Sequence, residues 1–358
     1  MRIAFINSTH KWGGVKTWCI DNAEALTAFG HEVVLYARPG EFLDKARQKG
    51  LEAVPHSFGF DFNPASIAYF WREFKKRNID ICVCNVSKDL RSAGIAARLL
   101  SIPIVQHLGA TYDLKKSFRI YAVAKLLSPH FITPSAYVAS YLTGHFPWLL
   151  QFEVKSIHPG VPIESRYQRT AIHSPRVITI TARLSQNKGH DILLLAVAKL
   201  KKEGFRFQCR IVGSGRQEQN LRDLCKANDL EDVVIFTGFT TDVPSQLALS
   251  DIYVFPATKE GLGISLQEAM ATGLPCIAKR GSGPDEIWPQ DRPHMLIPED
   301  DDSTELHLQL KRLLEMDDKE LLAEGCLFYQ NACQKFDRIT QAKELTHWFE
   351  NIIENSHN

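Results

Sequence analysis

One pattern runs through most of this chain: a short apolar run, a loop of polar and glycine residues, and a helical segment. Continuous apolar runs form strands that are buried on both faces, and a parallel sheet covered by helices supplies that environment. The pattern therefore predicts an α/β fold. The predicted strands are residues 2–6, 32–37, 81–85, 104–107, 131–133, 177–182, 208–212, 233–237, 252–256 and 275–278.

The pattern starts twice, and turn-forming residues are concentrated at 158–175, between the two series. A length of 358 residues suits two domains of ordinary size. We predict one doubly wound domain at 1–165 and a second at 176–335. Ligands of such sheets bind beyond the carboxyl ends of the strands, so we expect the site in a cleft between the domains.

Charge and composition exclude several classes of protein. The net charge of +1 argues against a nucleic-acid coat, and no apolar run approaches the roughly 20 residues of a membrane span. Residues 2–6 are too short for the core of a signal peptide. The eight cysteines form no C-x-x-C pair, which favours buried thiols over a zinc or redox motif and predicts a soluble cytoplasmic protein.

Loops after two of the predicted strands carry residues that suit a phosphorylated ligand. Gly13 and Gly14 open a helix, where free N–H groups attract anions, although a tight turn explains the pair equally well. Arg183 and Lys188 suit a diphosphate, or else form a solvated basic loop. The glycine turn at 213–215 admits a flat ligand, or is a plain turn.

The segment 260–275 holds the most informative combination of residues. Its glycines expose N–H groups at the start of a helix, where anionic or polyhydroxyl groups bind. Glu260 precedes that helix and Glu268 lies about two turns further on, so each carboxylate is placed to accept hydrogen bonds from sugar hydroxyls. Alternatively Glu260 caps the helix and Glu268 is a surface charge. The apolar neighbours of Glu268 make an unpaired charge costly there.

Taken in order, these features resemble the retaining glycosyltransferases of family 4. That family has the GT-B architecture, in which two Rossmann-like doubly wound parallel-sheet domains face a central cleft. The resemblance covers nearly the whole chain. It rests on Gly13-Gly14, Gly30-His31-Glu32-Val33, Arg183 with Lys188, Val212-Gly213-Ser214-Gly215, and the E-x7-E pair Glu260 and Glu268 with its continuation Ala269-Met270-Ala271.

The resemblance implies transfer of a hexose-type sugar from a UDP- or GDP-sugar to a hydroxyl of a cell-envelope glycan or lipid-linked acceptor. It implies retained anomeric configuration and no metal or other cofactor. Glu268 would hold the donor ribose, and Glu260 the hydroxyls of the transferred sugar. The expected catalytic residues are His107, Arg183, Lys188 and Glu260. The expected donor-binding residues are Gly13, Gly14, Arg183, Lys188, Gly213, Gly261, Leu262, Gly263, Ile264 and Glu268.

Three further expectations concern single segments. His107 matches the family histidine that lies near the donor sugar, although a histidine at a strand end is often a hydrogen-bonded core residue. Similar enzymes also place a C-terminal helix, here within 336–358, back on the first domain. The loop 281–286 resembles the family's glycine-rich loop but has one extra residue, so Glu286 receives no role.

The acceptor is expected at the first domain, because residues 1–165 carry a net charge of +6 and the remainder −5. Segments 71–77 and 115–127 mix cations with aromatic residues, which is typical of a basic amphipathic helix on an anionic membrane. Cations that extend over an ordinary core face explain both segments equally well. The acidic run 300–302 contains a D-x-D pattern, but a helix N-terminus accounts for it without a metal.

Three other functions fit parts of the pattern. A Rossmann dehydrogenase lacks its G-x-G-x-x-G loop here, and Arg38 ends the second strand where an NAD enzyme has an acid. A nucleotide-sugar epimerase of the same architecture would act without an acceptor. A non-catalytic nucleotide-sugar-binding protein is disfavoured because Arg183, Lys188, Glu260 and Glu268 are all present.

Overall fold

The computed structural model describes residues 1–10, 13–163 and 169–357. They form two compact units, one of Met1–Gly160 with the C-terminal helix and one of Val161–Asp337. Lys11 and Trp12 of the predicted glycine loop lie outside the described residues, as do residues 164–168 of the predicted linker.

The first unit is a seven-stranded sheet in the order β3-β2-β1-β4-β5-β6-β7, with parallel pairing between all neighbours. Its strands are β1 Arg2–Asn7, β2 Glu32–Ala37, β3 Glu52–Pro55, β4 Ile81–Cys84, β5 Ile104–His107, β6 His130–Thr133 and β7 Val154–Ser156. Its first helices are α1 Gly14–Ala28, α2 Glu41–Gln48, α3 Pro64–Arg77, α4 Ser87–Asp89, α5 Ile95–Leu99, α6 Phe118–Leu127 and α7 Ala136–His145.

The second unit is a six-stranded parallel sheet in the order β10-β9-β8-β11-β12-β13. Its strands are β8 Arg176–Thr181, β9 Phe207–Val212, β10 Val234–Gly238, β11 Ile252–Phe255, β12 Cys276–Lys279 and β13 Leu296–Ile297. Its helices are α8 His190–Lys202, α9 Glu218–Ala227, α10 Val243–Ala248, α11 Ile264–Ala271, α12 Pro284–Ile287, α13 Thr304–Glu315 and α14 Asp318–Lys335, and α15 Arg338–His357 returns to the first unit.

Apolar side chains alternate between the two faces of the first sheet. Ile3 and Phe5 point to the face covered by α1, and Ala4 and Ile6 point to the other face. Helix α15 packs on the first of these faces through Trp348 and its neighbours, and the Trp348 indole donates to Glu153 at 2.7 Å. The first sheet is therefore covered on two sides, and the second sheet has the same parallel, doubly wound strand order, which confirms the predicted fold class.

Several details differ from the predictions. Strands β3, β7 and β13 were not predicted, because each is short and β3 and β7 are only partly buried. Helix α6 begins at Phe118, so Lys115 and Lys116 lie in the loop before it and not on the predicted amphipathic helix. Cys333 is exposed, contrary to the prediction of buried thiols. No helix among the described residues is long and apolar enough to cross a membrane.

Candidate active site

The strand order reverses direction at one point in each sheet, and ligands of open α/β sheets bind at the carboxyl ends of the strands beside that point. In the second unit the reversal lies between β8 and β11. The loop after β8 carries Arg183 and Lys188, and the loop after β11 carries Glu260. The fold thus places Arg183, Lys188 and Glu260, three of the predicted site residues, at this switch point.

Lys188 and Glu260 are in direct contact there. The ammonium group of Lys188 donates a hydrogen bond to Oε2 of Glu260, and each side chain is about one-fifth exposed, at 18% and 23%. The same ammonium lies 5.9 Å from the centre of the Phe255 ring. Two residues that are 72 positions apart therefore form one partly desolvated ion pair, where an electrostatic interaction is stronger than in open solvent.

Main-chain contacts fix the loop that carries the two cations. The N–H of Thr258 donates to the carbonyl of Asn187 at 3.1 Å, which ties the loop after β8 to the loop after β11. Arg183 is exposed and follows Ala182, whose carbonyl lies against Gly213. A Cβ on Gly213 would overlap that carbonyl, and its φ of +142° favours glycine. Packing of the Arg183 loop thus explains Gly213 without a ligand.

Helix α11 begins at Ile264, after the short loop that follows Glu260, and none of the described side chains caps its N-terminus. Gly263 precedes the helix with φ +94° and makes no side-chain hydrogen bond to it, and a Cβ there would lie 2.8 Å from the Phe255 ring. Lys259 also has a positive φ, of 55°, and strain of this kind is typical of ligand sites. Leu266 and Gln267 donate their N–H groups to the Gly263 carbonyl at 3.0 and 3.1 Å, so the N–H groups of Ile264 and Ser265 are the ones that lie at the very start of α11, where an anion or a sugar hydroxyl binds.

The glycine-rich loop 281–286 packs against the segment 260–262. The N–H of Gly283 donates to the carbonyl of Glu260 at 3.0 Å. A Cβ on Gly283 would overlap the carbonyl of Gly261 and would lie 2.6 Å from Cα of Leu262. The predicted donor-binding residues Gly261 and Leu262 therefore owe their position to a loop for which the sequence analysis assigned no role.

Glu268 is half-buried on α11, on the helix that starts at the site. Burial raises the pKa of the neighbouring Tyr253 hydroxyl, and the negative charge of Glu268 raises it further. That hydroxyl is held by Thr181 Oγ1 at 2.8 Å, at the end of β8. Glu268 thus lies near Tyr253, whose hydroxyl meets the end of β8, the strand whose following loop carries Arg183 and Lys188.

In the first unit the reversal lies between β1 and β4, and the sheet places three buried polar side chains in one row there. Ile6 pairs with Cys84 and Cys84 with Gln106, so the next residues along the three strands, Asn7, Asn85 and His107, are neighbours. Each has a buried polar atom without a hydrogen-bond partner among the described residues: Nδ2 of Asn7, Oδ1 of Asn85 and Nδ1 of His107. Buried atoms of this kind require an explanation, and a bound polar ligand or water would supply one.

His107 is more enclosed than the sequence analysis anticipated. Its ring stacks on Trp18 with 4.2 Å between ring centres, and only 4% of the residue is exposed. Burial lowers its pKa to about 3, so the imidazole is neutral at neutral pH. A pKa so far below 7 makes the ring a weak base with no imidazolium proton to give, so near pH 7 it serves as a hydrogen-bond partner.

Asp89 holds the ends of β1 and β4 at the same place. Its carboxylate accepts from the N–H groups of Ser8 and Asn85, each at 3.1 Å, and of Val86 at 2.9 Å. Burial raises its pKa to about 7. Sequence analysis missed Asp89, Asn7 and Asn85. A polar residue at the carboxyl end of an apolar run was the available signal.

The glycine pair of the first unit, Gly13 and Gly14, lies at the start of α1 with free space around Gly13. Gly13 precedes α1 in an extended conformation, its cap position makes no side-chain hydrogen bond, and a Cβ there would meet no atom within 4 Å. Neither strain nor packing among the described residues therefore requires glycine at position 13. Close approach of a ligand to the N-terminus of α1 and a tight strand-to-helix turn both remain explanations for Gly13 and Gly14.

The acidic run 300–302 caps helix α13, as expected, and Asp301 and Asp302 make the contacts. Ser303 occupies the cap position without a side-chain hydrogen bond, and Asp301 accepts from the N–H groups of Glu305 at 2.8 Å and Leu306 at 3.3 Å. Asp302 accepts from Thr304 at 3.2 Å. Among the described residues, no group of three or more His, Cys, Asp or Glu side chains is arranged to hold a metal ion.

His190, directly beyond Lys188, gives a prediction about acid stability. Its ring is buried without partners for either nitrogen among the described residues, and burial, together with the charge of Lys188, lowers its pKa to about 4. The unfolded chain binds a proton at this ring below about pH 6.5 and the native chain does not, so the ring destabilises the fold as pH falls toward 4. In H190Q we expect the slope of unfolding free energy against pH, measured by urea titration from pH 6.0 to 4.5, to be shallower by up to about 1.4 kcal/mol per pH unit.

The exposed His145 supplies the control. H145Q should leave that slope unchanged, and buried carboxyl groups such as Asp89 contribute equally to all three proteins and cancel in the comparison. Equal slopes for wild type and H190Q would contradict a neutral, buried His190.

Comparison with known proteins covers both units. Residues 12–165 match the family model described as Glycosyltransferase Family 4, and residues 163–324 match the model described as Glycosyl transferases group 1. The solved structure of Anabaena HepE in complex with UDP and glucose superimposes with a TM-score of 0.81 and 21% identity, over 98% of this chain and 99% of that chain. That similarity shows the fold, which is GT-B.

Two curated relatives illustrate the sequence similarity. The putative colanic acid biosynthesis glycosyltransferase WcaL of Escherichia coli is 34% identical over 156 residues, which are 41% of this chain and 38% of that protein. A GDP-mannose-dependent phosphatidylinositol monomannoside mannosyltransferase of Corynebacterium glutamicum is 35% identical over 150 residues, 38% of this chain and 39% of the relative. The chain thus spans less than half the length of these curated relatives.

Proposed function

Since the chain belongs to glycosyltransferase family 4, we propose that it moves a hexose-type sugar from a nucleoside-diphosphate sugar to a hydroxyl group of a cell-envelope glycan or lipid-linked acceptor. The observation that carries the proposal is the contact between Lys188 and Glu260 at the switch point of the second sheet. The names of the relatives support both donor classes, since HepE was solved with UDP and the mannosyltransferase uses GDP-mannose.

The proposed mechanism assigns each group a charge or hydrogen-bonding role. Lys188 and Arg183 neutralise the departing diphosphate, and the N–H groups of Ile264 and Ser265 at the start of α11 support the phosphate and the sugar. When the donor binds, its phosphate replaces Glu260 as the partner of Lys188. Glu260 is then free to accept hydrogen bonds from hydroxyl groups of the transferred sugar. Two cations beside the leaving group supply the charge that a metal ion supplies elsewhere, so transfer should persist in EDTA.

Retention of configuration is part of the same proposal. The acceptor oxygen bonds to the anomeric carbon on the face from which the diphosphate oxygen leaves, and the acceptor proton passes to that oxygen. No protein base is needed, which agrees with a neutral His107 that positions the sugar. An NMR assignment of the anomeric proton in the product distinguishes retention from inversion.

Glu268 provides the direct test of donor binding. At 100 times its dissociation constant, a ligand stabilises the native state by about 2.7 kcal/mol, which raises the melting temperature by several degrees. We expect UDP or GDP to produce this shift in the wild type and in E231A, which changes an exposed glutamate of the same unit. In E268A the shift should disappear, because the ribose hydroxyls lose their acceptor.

The panel for this melting experiment is UDP, GDP, ADP and NADP. A shift with NADP alone, unchanged in E268A, would overturn the transferase proposal in favour of a dehydrogenase. Conversion of the nucleotide sugar into an isomer without any acceptor would instead indicate an epimerase.

We also propose peripheral contact with the cytoplasmic face of an anionic membrane through the first unit. Phe118 and Leu126 on α6 are 80% and 68% exposed, and Lys115, Lys116 and Arg119 beside them are exposed as well. Aromatic and cationic side chains on one surface suit a bilayer interface. Near an anionic surface each cation contributes about 1 kcal/mol, so K115E/K116E should lose at least 10-fold in binding to phosphatidylcholine–phosphatidylglycerol vesicles, measured by sedimentation. Equal sedimentation of wild type and variant would contradict the contact.

A further inference from the structure

A second aromatic surface lies at the carboxyl edge of the first sheet, in the loop between β3 and α3. Phe60 and Phe62 in this loop are 69% and 46% exposed. Phe58, two residues earlier, is fully buried, so the loop is anchored in the core on one side and directs two rings outward on the other. Large exposed apolar side chains that are grouped mark interaction sites, whereas single scattered ones are ordinary on protein surfaces.

The backbone of this loop is strained. Phe62 has a φ of +60°, in the left-handed region that a bulky side chain rarely adopts. The residue after it, Asn63, caps α3 by accepting from the N–H of Ala65 at 3.0 Å, which fixes the end of the loop. Strain of about 1–3 kcal/mol persists only where the surrounding structure enforces it, and such positions concentrate at ligand sites.

Two cations tie the loop to the helical segment that follows β4. Lys88 donates to the carbonyl of Gly59 at 2.7 Å, and Arg91 pairs with Asp61 at 2.9 Å. The rings are therefore presented by a braced loop. Bracing of this kind reduces the entropy that a loop loses when a ligand orders it.

From these contacts we infer that Phe60 and Phe62 form a platform on which a sugar ring of the acceptor glycan packs. The inference rests on the proposed transferase function and names the acceptor-binding surface within it. One face of a pyranose presents C–H groups that pack on an aromatic ring, and its hydroxyl groups at the rim need polar partners. The Asp61 carboxylate beside the rings keeps acceptor capacity beyond its pairing with Arg91.

The charges of this loop favour a sugar over a lipid surface. A membrane-binding surface needs cations that are free to face the lipid headgroups. Here Lys88 and Arg91 are directed to the loop itself, and Asp61 adds a negative charge. The loop follows β3 at the edge of the sheet, and its contacts with Lys88 and Arg91 bring it to the segment after β4, one of the two strands at the switch point where open α/β sheets bind their ligands.

The experiment uses the double variant F60S/F62G in the full chain. Glycine suits the φ of +60° at position 62, so the variant should fold and melt at the temperature of the wild type or above it. The acceptors are the p-nitrophenyl α- and β-glycosides of glucose, galactose and mannose, with UDP-glucose or GDP-mannose as donor. We expect KM for the glycoside to rise by roughly tenfold for each ring removed, with hydrolysis of the donor alone unchanged.

The control variant is L150S, which changes an apolar residue of the same unit that is 73% exposed; it should leave both rates unchanged. An unaltered KM in F60S/F62G would overturn the platform, as would donor hydrolysis by the wild type without transfer to any of the glycosides. Loss of vesicle binding or of a dimer in F60S/F62G, with KM unchanged, would assign the rings to a lipid surface or to a second copy. Absence of any donor turnover or nucleotide-induced melting shift would instead contradict the transferase function itself.

Discussion

Replacement of Lys188 by alanine should lower kcat/KM by about 10²–10³-fold, by analogy with the loss of one oxyanion donor in other enzymes. In this fold Lys188 lies at the switch point, and its ammonium is held by Glu260 and faces the Phe255 ring. A diphosphate that leaves there gains negative charge in a partly desolvated place, so loss of the cation removes more stabilisation from the transition state than from the bound donor. The loss should therefore appear in kcat as well as in KM.

The control for K188A is K202A, which removes an exposed lysine at the end of the helix that starts beyond Lys188. Steady-state kinetics with a saturating acceptor, together with melting curves for both variants, separate lost chemistry from lost folding. K188R should recover part of the rate, because the charge is kept while the geometry changes. Turnover of K188A within threefold of the wild type would refute the role of this residue in leaving-group departure.

The second large effect is expected from G283A, although the proposed mechanism assigns residue 283 no contact with a substrate. The backbone of Gly283 has φ −50°, which alanine adopts freely, so the substitution acts through its Cβ alone. That Cβ would overlap the carbonyl of Gly261 and crowd Leu262, and the segment that carries Glu260 must move away. Displacement of a catalytic segment by about 1 Å costs on the order of 10²-fold in rate, and the overpacking should cost about 1–3 kcal/mol in stability.

G144A is the matched control, because a Cβ on Gly144 would meet no atom within 4 Å. Initial rates and urea unfolding of both variants give the two quantities. Near-normal kcat/KM in G283A would show that the loop 281–283 does not position Glu260. A large loss of stability with normal kcat/KM would confine the role of Gly283 to folding.

Much of the fold follows from local sequence. The apolar runs that become β1, β2, β8 and β11 are long enough and apolar enough to be recognised without a partner, because a strand buried on both faces needs no polar residues. Strand β3 was not predicted from the sequence, because it is an edge strand that begins with the exposed Glu52 and ends with Pro55. The start of α6 was placed too early, because the periodicity of cations and aromatic residues does not reveal where the first helical turn forms.

The candidate site divides in the same way. Arg183, Lys188, Glu260 and Glu268 were identified from residue types and spacing, since each sits in a loop or helix next to a recognisable strand. His107 was identified as well, but its row with Asn7 and Asn85 was not, because that row exists only once β1, β4 and β5 are adjacent in the sheet. Likewise the role of Gly283 in positioning Glu260 follows only from the folded structure, in which the N–H of Gly283 donates a hydrogen bond to the carbonyl of Glu260.

Side-chain type and short-range spacing specify the two parallel α/β sheets, the loops that carry charge, and the family to which they belong, because hydrophobic burial and helix termini convert such patterns into structure locally. The contact between Lys188 and Glu260, and the room that Gly213 leaves for the Arg183 loop, become visible in the folded chain alone. The same holds for the burial that keeps the ring of His107 neutral. Each of these depends on contacts between segments far apart in the chain, and on the loss of water that those contacts cause.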